Sequence, residues 1–141
     1  MFDIIFVCTG NTCRSPMAEA IAKKMMPGLN VASMGVAAAN GSPASENACK
    51  VMENEGLSLS AHKSRMMDYE VLQDAKLVLT MTKAHLYAVK SFCKTANAYT
   101  LSDYSGTGFD VMDPYGGDIK TYKKCAKEIK KLVKACSKKV L

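Results

Sequence analysis

A cysteine and an arginine stand six positions apart near the N-terminus of this chain, in the segment 8–15, which reads CTGNTCRS. The cysteine thiolate is a strong nucleophile, and the planar guanidinium of an arginine binds two oxygens of a phosphate or a similar oxyanion at once. A loop that holds Cys8 and Arg14 around one tetrahedral group is therefore suited to nucleophilic attack on phosphorus. The spacing predicts an oxyanion-binding loop with Cys8 at its base.

The residues on either side of this loop indicate the elements that position it. Phe2 to Val7 is an apolar, β-favouring run, which predicts a buried first strand. The segment 15–26 opens with Ser-Pro, and Ser15 is typical of a helix N-cap. Backbone N–H groups between a strand and a helix N-terminus can surround an anion, and Gly10 tolerates the backbone dihedral angles that this requires. We expect the Ser15 hydroxyl and the helix dipole to stabilise the Cys8 thiolate.

A second loop supplies the candidate acid. A thiolate that attacks a phosphoester needs an acid to protonate the departing atom, and the same group, once ionised, activates water for the second step. Asp113 begins the segment 113–117, DPYGG, where the proline stiffens a turn and the glycines allow a close approach to the first loop. We predict that Asp113 acts first as an acid and then as a base.

Apolar and turn-forming residues predict that strands and helices alternate along the rest of the chain. Strands are expected over 30–34, 76–81 and 98–101, helices over 46–55, 83–91 and from 118 to the end, a helical turn from Tyr69, and loops over 35–45 and 102–117. Such alternation gives right-handed crossovers and a parallel sheet covered by helices on both faces. Ligands bind such sheets at the carboxyl ends of the strands, where the loop after the first strand lies.

The length and composition of the chain bound these expectations. Its 141 residues and mass of 15.2 kDa predict one α/β domain over 1–141. The longest uninterrupted apolar run, 4–8, has five residues, whereas a membrane span needs about 20 and a signal-peptide core about 7 to 15. We therefore expect a cytoplasmic protein with no membrane partner, whose six cysteines are reduced thiols.

The net charge of +6 is concentrated in the last 24 residues, where nine lysines and two acidic residues give +7 and leave the remaining 117 residues at −1. Apolar residues recur there at three- and four-residue intervals, which predicts an amphipathic helix with the lysines on its solvated face. The predicted buried stripe is Ile119, Tyr122, Ala126, Ile129, Leu132, Val133 and Cys136. Because no aromatic stacking surface is interleaved with the lysines, we expect no nucleic-acid partner and leave a weak acidic partner open.

The segment from Val7 to Ala20, together with the loop that begins at Asp113, resembles the low molecular weight protein tyrosine phosphatase family over nearly the whole chain. The shared features are a Cys-x5-Arg-Ser loop, a late Asp-Pro-Tyr loop and an amphipathic last helix. The resemblance implies a single flavodoxin-like, phosphotyrosine protein phosphatase I-like domain with a four-stranded, twisted parallel sheet and helices on both faces. It also implies hydrolysis of phosphorylated proteins through a phosphocysteine, without metal or cofactor. Cys8 is then the nucleophile, Arg14 binds the phosphoryl group, and Asp113 is acid and base.

The resemblance also assigns roles around these three residues. Asn11 matches the residue whose side chain holds the loop in shape, and Ser15 matches the hydroxyl that stabilises the thiolate. Ser33 and His62 match members of the hydrogen-bond network behind the loop. The second histidine, His85, has no such match and receives no role. The residues expected to form the substrate site are Thr9, Gly10, Asn11, Thr12, Cys13, Ser15 and Tyr115.

Departures from the family pattern bear on the substrate. Eukaryotic members that act on phosphotyrosine place a second aromatic residue where this chain has Gly116, and the segment 37–40 lacks the aromatic wall that they often show. Tyrosine-directed members commonly carry an aliphatic residue at the position of Thr12, whereas the bacterial protein arginine phosphatases of the family carry threonine in a Cys-Thr-Gly-Asn-Thr-Cys-Arg loop, which this chain matches. A polar Thr12 favours a planar, charged guanidinium leaving group over a phenol ring. The expected substrates are therefore proteins that carry phosphotyrosine, phosphoarginine or both.

The other cysteines bear on three further possibilities: a disulfide, an arsenate reductase and a zinc site. Cys13 matches a loop cysteine that forms a reversible disulfide with the nucleophile in the family and protects it from overoxidation. An arsenate reductase on the same scaffold needs two further, closely spaced cysteines, but Cys49 and Cys93 stand alone. A zinc site at Cys8 and Cys13 lacks a second pair of ligands nearby.

A non-hydrolytic cysteine phosphocarrier is the remaining alternative. Such a carrier holds phosphate on a loop cysteine, but it needs neither a loop arginine nor a separate acid, so Arg14 and Asp113 favour a hydrolase. We expect a monomer whose active site binds phosphate or a similar oxyanion.

Overall fold

Four parallel strands form one sheet in the computed structural model, which describes residues 1–140 of the chain. The strands are β1 Ile4–Cys8, β2 Val31–Gly35, β3 Leu77–Thr80 and β4 Ala98–Thr100, and their order in the sheet is β2-β1-β3-β4. Ile4 pairs with Val31 on one side and with Leu77 on the other. The predicted four-stranded parallel sheet is confirmed, and β1 lies at its centre, where the direction of winding reverses.

Helices cover both faces of the sheet. They are α1 Arg14–Met25, α2 Glu46–Asn54, α3 Tyr69–Asp74, α4 Lys83–Phe92, α5 Leu101–Ser105 and α6 Ile119–Val140. Among residues 1–140, none of these helices is long and apolar enough to cross a membrane.

The alternation of side chains along β1 divides the core in two. Ile4, Phe6 and Cys8 face a cluster that includes the buried stripes of α1 and α6. Ile5 and Val7 face a second cluster on the opposite side, which includes Leu72 of α3 and Val89 of α4. All five strand residues are buried, which explains why β1 reads as a continuous apolar run rather than an alternating one.

The start of α1 corrects one prediction. Ser15 was predicted to be the N-cap, but the helix begins at Arg14, and Cys13 occupies the cap position without a side-chain capping bond. Ser15 is fully buried inside the first turn, where its hydroxyl turns toward Cys8. The hydroxyl that the pattern assigned to helix capping is therefore used by the loop.

The predicted loop 102–117 is also partly wrong, because α5 occupies its first residues. The hydroxyl of Thr100 accepts a hydrogen bond from the Asp103 N–H at 3.1 Å and caps this short helix. Gly106, with a φ of +91°, ends it in the left-handed region that glycine adopts without a steric penalty. The loop that carries Asp113 therefore begins only after Gly106.

The amphipathic character of α6 is confirmed, with two corrections to its buried stripe. Ile119 is 36% exposed and lies outside the core, whereas Cys125, which the pattern omitted, is 5% exposed and belongs to it. The shift follows from helix geometry, since Cys125 lies between Tyr122 and Ile129 on the same face. Burial raises the pKa of the Cys125 thiol to about 12, so this cysteine remains a neutral core residue.

Candidate active site

A cavity of about 270 Å³ opens at the carboxyl end of β1 and contains most of the predicted site residues. The loop that carries Asp113 is held beside this end of the sheet, since the N–H of Val111 donates at 2.9 Å to the carbonyl of Met81, the residue after β3. The cavity is lined by Cys8, Thr9, Gly10, Thr12, Cys13, Arg14, Asp113 and Tyr115. The site lies where the topology of a parallel sheet places ligands.

Cys8 and Ser15 meet at the base of this cavity. The Cys8 Sγ atom lies 2.9 Å from the Ser15 Oγ atom, and both side chains are buried. Ser15 lies in the first turn of α1, so the positive end of the helix dipole points to the same sulfur. A hydroxyl donor and a helix N-terminus both stabilise negative charge on the sulfur.

Asn11 holds the loop in a conformation that side chains other than glycine rarely adopt. Its φ of +57° lies in the left-handed region, where asparagine is among the few tolerated residues. Its side-chain amide is fully buried and donates to the Ser15 hydroxyl at 2.8 Å and to the Ser33 hydroxyl at 2.9 Å. The amide oxygen accepts from the backbone N–H of Arg65 at 2.9 Å. Hydrogen bonds to other elements therefore stabilise this conformation.

Two further contacts extend the network behind Asn11. The His62 Nε2 atom lies 2.7 Å from the Asn11 carbonyl oxygen and must donate, because a carbonyl only accepts. The Ser33 hydroxyl donates to a Glu19 carboxylate oxygen at 2.6 Å. The structure thus brings Ser33 and His62 to the predicted place and adds Glu19, to which the sequence analysis assigned no role.

The direction of these hydrogen bonds determines which group donates to Cys8. Because both amide protons of Asn11 are donated to hydroxyls, the Ser15 oxygen acts as an acceptor toward Asn11, and its proton points elsewhere. The Cys8 sulfur, at 2.9 Å, is a nearer acceptor than the carbonyl of Met34, at 3.5 Å. A thiolate has no proton to give, so with Cys8 ionised the hydrogen bond runs from the Ser15 hydroxyl to the sulfur.

Gly35, at the end of β2, lies directly beneath the loop. A Cβ atom there would meet the Thr9 carbonyl oxygen at 2.5 Å and the Asn11 backbone nitrogen at 3.0 Å. The loop also pairs with this end of β2, since the Ala37 N–H donates to the Thr9 carbonyl at 2.9 Å. The lack of a side chain at Gly35 allows the two backbones to approach this closely.

Arg14 joins the two loops of the site. One guanidinium nitrogen donates to the carbonyl of Val111 at 3.0 Å, two residues before Asp113. The other lies 3.5 Å from the Thr9 hydroxyl and 3.7 Å from an Asp113 carboxylate oxygen. The Arg14 side chain is only 5% exposed, so its position is fixed by these contacts rather than by solvent.

Asp113 and Tyr115 lie at the opening of the cavity. The Asp113 side chain is 55% exposed, and one of its oxygens accepts the Tyr115 backbone N–H at 3.0 Å in an Asx turn. Tyr115 is 81% exposed. The carboxylate is thus both held by its own loop and reachable from solvent, as an acid that later activates water must be.

His85 is the site residue that the sequence analysis missed. Its Nε2 atom lies 2.8 Å from the Thr9 hydroxyl oxygen, although 76 positions separate the two residues. Burial and the nearby Arg14 guanidinium lower the pKa of His85 to about 4, so the ring is neutral at pH 7. The available signal was topological, because α4 follows the carboxyl end of β3, next to the first loop.

Cys13 lies between two hydroxyl groups beside the cavity. Its sulfur is 3.3 Å from the Tyr122 hydroxyl and 3.5 Å from the Ser45 hydroxyl, and the residue is 7% exposed. Burial, followed by the hydrogen bond with Cys13, raises the pKa of Tyr122 to about 12. All six cysteines are free thiols, and the disulfide between Cys8 and Cys13 stays a prediction.

The arrangement of the remaining cysteines does not suit a disulfide relay. Cys49 packs against the core cluster on the α1 face of the sheet, whereas Cys93 is buried in the cluster on the opposite face. Residues 1–140 also contain no group of three or more His, Cys, Asp or Glu side chains placed to hold a metal ion.

Comparisons with known proteins agree with this geometry. Residues 3–141 match the family described as Low molecular weight phosphotyrosine protein phosphatase. The chain is 41% identical to the Protein-arginine-phosphatase of Geobacillus stearothermophilus, over 99% of this chain and 96% of that protein. It is 37% identical to the Low molecular weight protein-tyrosine-phosphatase PtpB of Staphylococcus epidermidis, over 92% and 93% of the two chains.

A solved structure adds a chemical detail. The structure of the YwlE arginine phosphatase in which serine replaces the active-site cysteine and is phosphorylated superimposes on this chain with a TM-score of 0.92 at 36% identity. The superposition covers 96% of this chain and 93% of that one. That enzyme therefore takes a phosphoryl group onto its active-site residue.

Proposed function

Because the chain belongs to the low molecular weight phosphotyrosine protein phosphatase family, we propose that Cys8, Arg14 and Asp113 carry out its reaction. The chain is a phosphoprotein phosphatase that works through a covalent phosphocysteine. The observation that carries the choice of nucleophile is the 2.9 Å contact between the Cys8 sulfur and the Ser15 hydroxyl, which itself accepts from Asn11. Among the described cysteines, this one combines that donor with a place in the cavity that Arg14 and Asp113 line.

The first step forms a sulfur–phosphorus bond. The Cys8 thiolate attacks the phosphorus atom while the bond from phosphorus to the leaving oxygen or nitrogen breaks. The Asp113 carboxylic acid gives its proton to that leaving atom, so a tyrosine departs as a neutral phenol and an arginine as its guanidinium. The Arg14 guanidinium and the inward backbone N–H groups of the loop stabilise the charge on the phosphoryl oxygens.

The second step returns the enzyme to its starting state. The Asp113 carboxylate, now ionised, takes a proton from a water molecule as that water attacks the phosphocysteine. The sulfur–phosphorus bond breaks, the electron pair stays on Cys8, and the Ser15 hydroxyl stabilises the thiolate that leaves. The products are inorganic phosphate and the thiolate enzyme with a protonated Asp113, ready for the next cycle.

We propose phosphoarginine as a substrate of this site. Thr12 lines the cavity together with Asp113, so a polar hydroxyl and a carboxylate face the leaving group. Both groups suit the N–H donors of a guanidinium better than the carbon edge of a phenol ring. Two relatives, 41% and 39% identical to this chain, are named protein-arginine-phosphatases.

Phosphotyrosine is the second candidate substrate. Tyr115 is 81% exposed at the opening of the cavity and offers an aromatic face on which a phenol ring can stack. Relatives of 37% identity are named protein-tyrosine-phosphatases. The two substrates share the phosphoryl site and differ only at its opening.

A pair of peptides of one sequence, carrying phosphoarginine in one and phosphotyrosine in the other, tests this assignment. We expect Thr12→Ile to lower kcat/KM for the phosphoarginine peptide about tenfold relative to the phosphotyrosine peptide, because an apolar side chain leaves the guanidinium unpaired. Thr12→Ser keeps the hydroxyl and should keep the wild-type ratio. An unchanged ratio in Thr12→Ile would remove the role of Thr12, and turnover by Cys8→Ser would overturn the choice of nucleophile.

A cytoplasmic location is part of this proposal. The nucleophile works as a thiolate, and all six cysteines are free thiols, which suits a reducing compartment. Fractionation of cells that express the full chain tests the location, and recovery of the protein in the membrane fraction would contradict it.

A further inference from the structure

His85 is a buried titratable side chain that the two-step reaction leaves without a role. It lies on α4, is 5% exposed, and contacts the active-site loop through the Thr9 hydroxyl at 2.8 Å. Its other ring nitrogen, Nδ1, is buried and has no hydrogen-bond partner among residues 1–140. One ring nitrogen of His85 therefore contacts the loop, whereas the other has no hydrogen-bond partner, and the two-step reaction explains neither feature.

The unpartnered nitrogen indicates which tautomer His85 adopts. A neutral imidazole carries its proton on one nitrogen and a lone pair on the other. If the proton were on Nδ1, a buried N–H donor would be left unsatisfied, which is rarer and costlier than an unpaired acceptor. The proton therefore lies on Nε2, and His85 donates to the Thr9 oxygen.

The charges around His85 keep the ring neutral. Arg14 lies on the loop side and disfavours a second positive charge, while Asp110 and Asp113 on the neighbouring loop partly offset it. Burial acts in the same direction as Arg14 and is the larger effect. A neutral ring with Nε2 protonated is thus the state in which the enzyme operates.

The Thr9 hydroxyl then has one hydrogen bond left to make. Its oxygen accepts from His85 Nε2 at 2.8 Å and from an Arg14 guanidinium nitrogen at 3.5 Å, and arginine is only ever a donor. Both lone pairs are engaged, so only the hydroxyl proton remains available. Thr9 lines the cavity with Cys8 and Arg14, where the phosphoryl oxygens of a substrate lie.

We propose that His85 is a positioning residue of this phosphatase, which donates to the Thr9 hydroxyl and thereby commits the Thr9 proton to a phosphoryl oxygen in the cavity. This inference rests on the proposed function, because it needs a phosphoryl group above Cys8. Without the histidine, the threonine hydroxyl is free to rotate and donate elsewhere. The donor is thus oriented before the substrate arrives, which is the condition under which it lowers the barrier.

Four variants test this positioning role with an aryl phosphate as substrate and inorganic phosphate as competitive inhibitor. Thr9→Val removes the hydroxyl at nearly constant shape, and His85→Leu removes the donor to it. Each is expected to lower kcat/KM about tenfold and to weaken phosphate inhibition. The double variant is expected to be no worse than either single variant, because both changes remove one hydrogen bond. His85→Gln, which places an amide N–H near the position of Nε2, is expected to recover activity to within about threefold.

The same measurements separate this inference from packing effects and from the proposed function. If His85→Leu and His85→Gln lose the same activity, or if the losses of Thr9→Val and His85→Leu multiply in the double variant, the positioning role is wrong. If His85→Leu does not fold, the kcat/KM values of Thr9→Val and His85→Gln still test the inference. An unchanged kcat/KM in Thr9→Val overturns it. Turnover that persists in Cys8→Ser would instead overturn the proposed function.

Discussion

The Ser15 hydroxyl stands 2.9 Å from the Cys8 sulfur while it accepts a hydrogen bond from the Asn11 amide. This pairing leaves Ser15 one proton, and the sulfur is its nearest acceptor. The chain of donors continues behind Asn11 through Ser33 to the Glu19 carboxylate. This hydrogen-bonded network therefore orients Ser15 beside the Cys8 sulfur, the proposed nucleophile.

Replacement of Ser15 by alanine should slow the chemistry of Cys8. The sulfur loses its hydroxyl donor, so we expect alkylation by iodoacetamide at pH 7 to become about tenfold slower and kcat to fall by at least as much. Ser137→Ala, on the exposed side of α6, serves as the matched control. Alkylation at the wild-type rate in Ser15→Ala would contradict the role of this hydrogen bond.

The contacts around this pair indicate what the sequence predicts and what it does not. The spacing of Cys8 and Arg14 predicts the loop, because the contacts within it are local. The apolar run predicts β1 for the same reason. The expected contact of the Ser15 hydroxyl with Cys8 is present, but its assignment as the N-cap is wrong, because helix ends are set to within one or two residues by packing that the sequence pattern does not show. His85 and Glu19 were missed because their partners come from other elements of the fold, 76 positions away for Thr9 and 14 for Ser33. Only the packed structure brings such pairs together.

Asp113→Asn tests the acid and distinguishes a hydrolase from a phosphocarrier. Asparagine can still accept the Tyr115 N–H that holds the loop, so the change removes the ionisable proton and little else. We expect kcat to fall about 100-fold for a substrate with a poor leaving group and less for 4-nitrophenyl phosphate, whose leaving group needs little protonation.

The neighbouring Asp110 provides the control for that experiment. Its carboxylate accepts the Lys83 N–H at 3.1 Å and lies outside the residues that line the cavity. Asp110→Asn should therefore leave the dependence on the leaving group as in the wild type. Unchanged turnover in Asp113→Asn for both substrates would overturn the assignment of the acid, whereas a wild-type phosphoenzyme that forms and releases no phosphate would favour the carrier over the hydrolase.

Gly35→Ala should disrupt the loop from below. The added Cβ would meet two backbone atoms of the loop at 3.0 Å or less, and neither can move without displacing Thr9 or Asn11. We expect the free energy of unfolding to fall by about 1 to 3 kcal/mol and kcat to fall by a larger fraction of its wild-type value. Gly28→Ala, where a Cβ meets nothing within 4 Å, should cost neither. Equal urea-unfolding midpoints for the two variants would contradict the close approach.

Substitutions at Asn11 separate its backbone conformation from its hydrogen bonds. Asn11→Gly keeps access to a φ of +57° but loses the donors to Ser15 and Ser33, whereas Asn11→Ala loses both. We expect both variants to lose activity and the alanine variant to be less stable by about 1 kcal/mol, the cost of the left-handed region. Thermal unfolding and kcat together check this order, and full activity in Asn11→Gly would show that the hydrogen bonds are dispensable.

His85 gives the protein an acid sensitivity of predictable sign. Burial and Arg14 lower its pKa from 6.5 to about 4 in the folded chain, so between these values the unfolded chain binds a proton that the folded chain does not. The free energy of unfolding therefore falls as the pH drops from 6.5 to 4. Below both pKa values His85 contributes no further change. After allowance for solvent screening, we expect a loss of roughly 2 kcal/mol from this group.

The comparison of wild type with His85→Gln isolates this contribution. Asp3 and Asp118 also have lowered pKa values, each from backbone hydrogen bonds first, but their stabilisation is present above pH 3.8 and is lost below it. Urea unfolding at intervals from pH 7 to pH 4 should give a wild-type curve that falls more steeply than that of His85→Gln, because glutamine does not titrate. Parallel curves would mean that His85 takes up its proton at the same pH in the folded and the unfolded chain, which would contradict the lowered pKa.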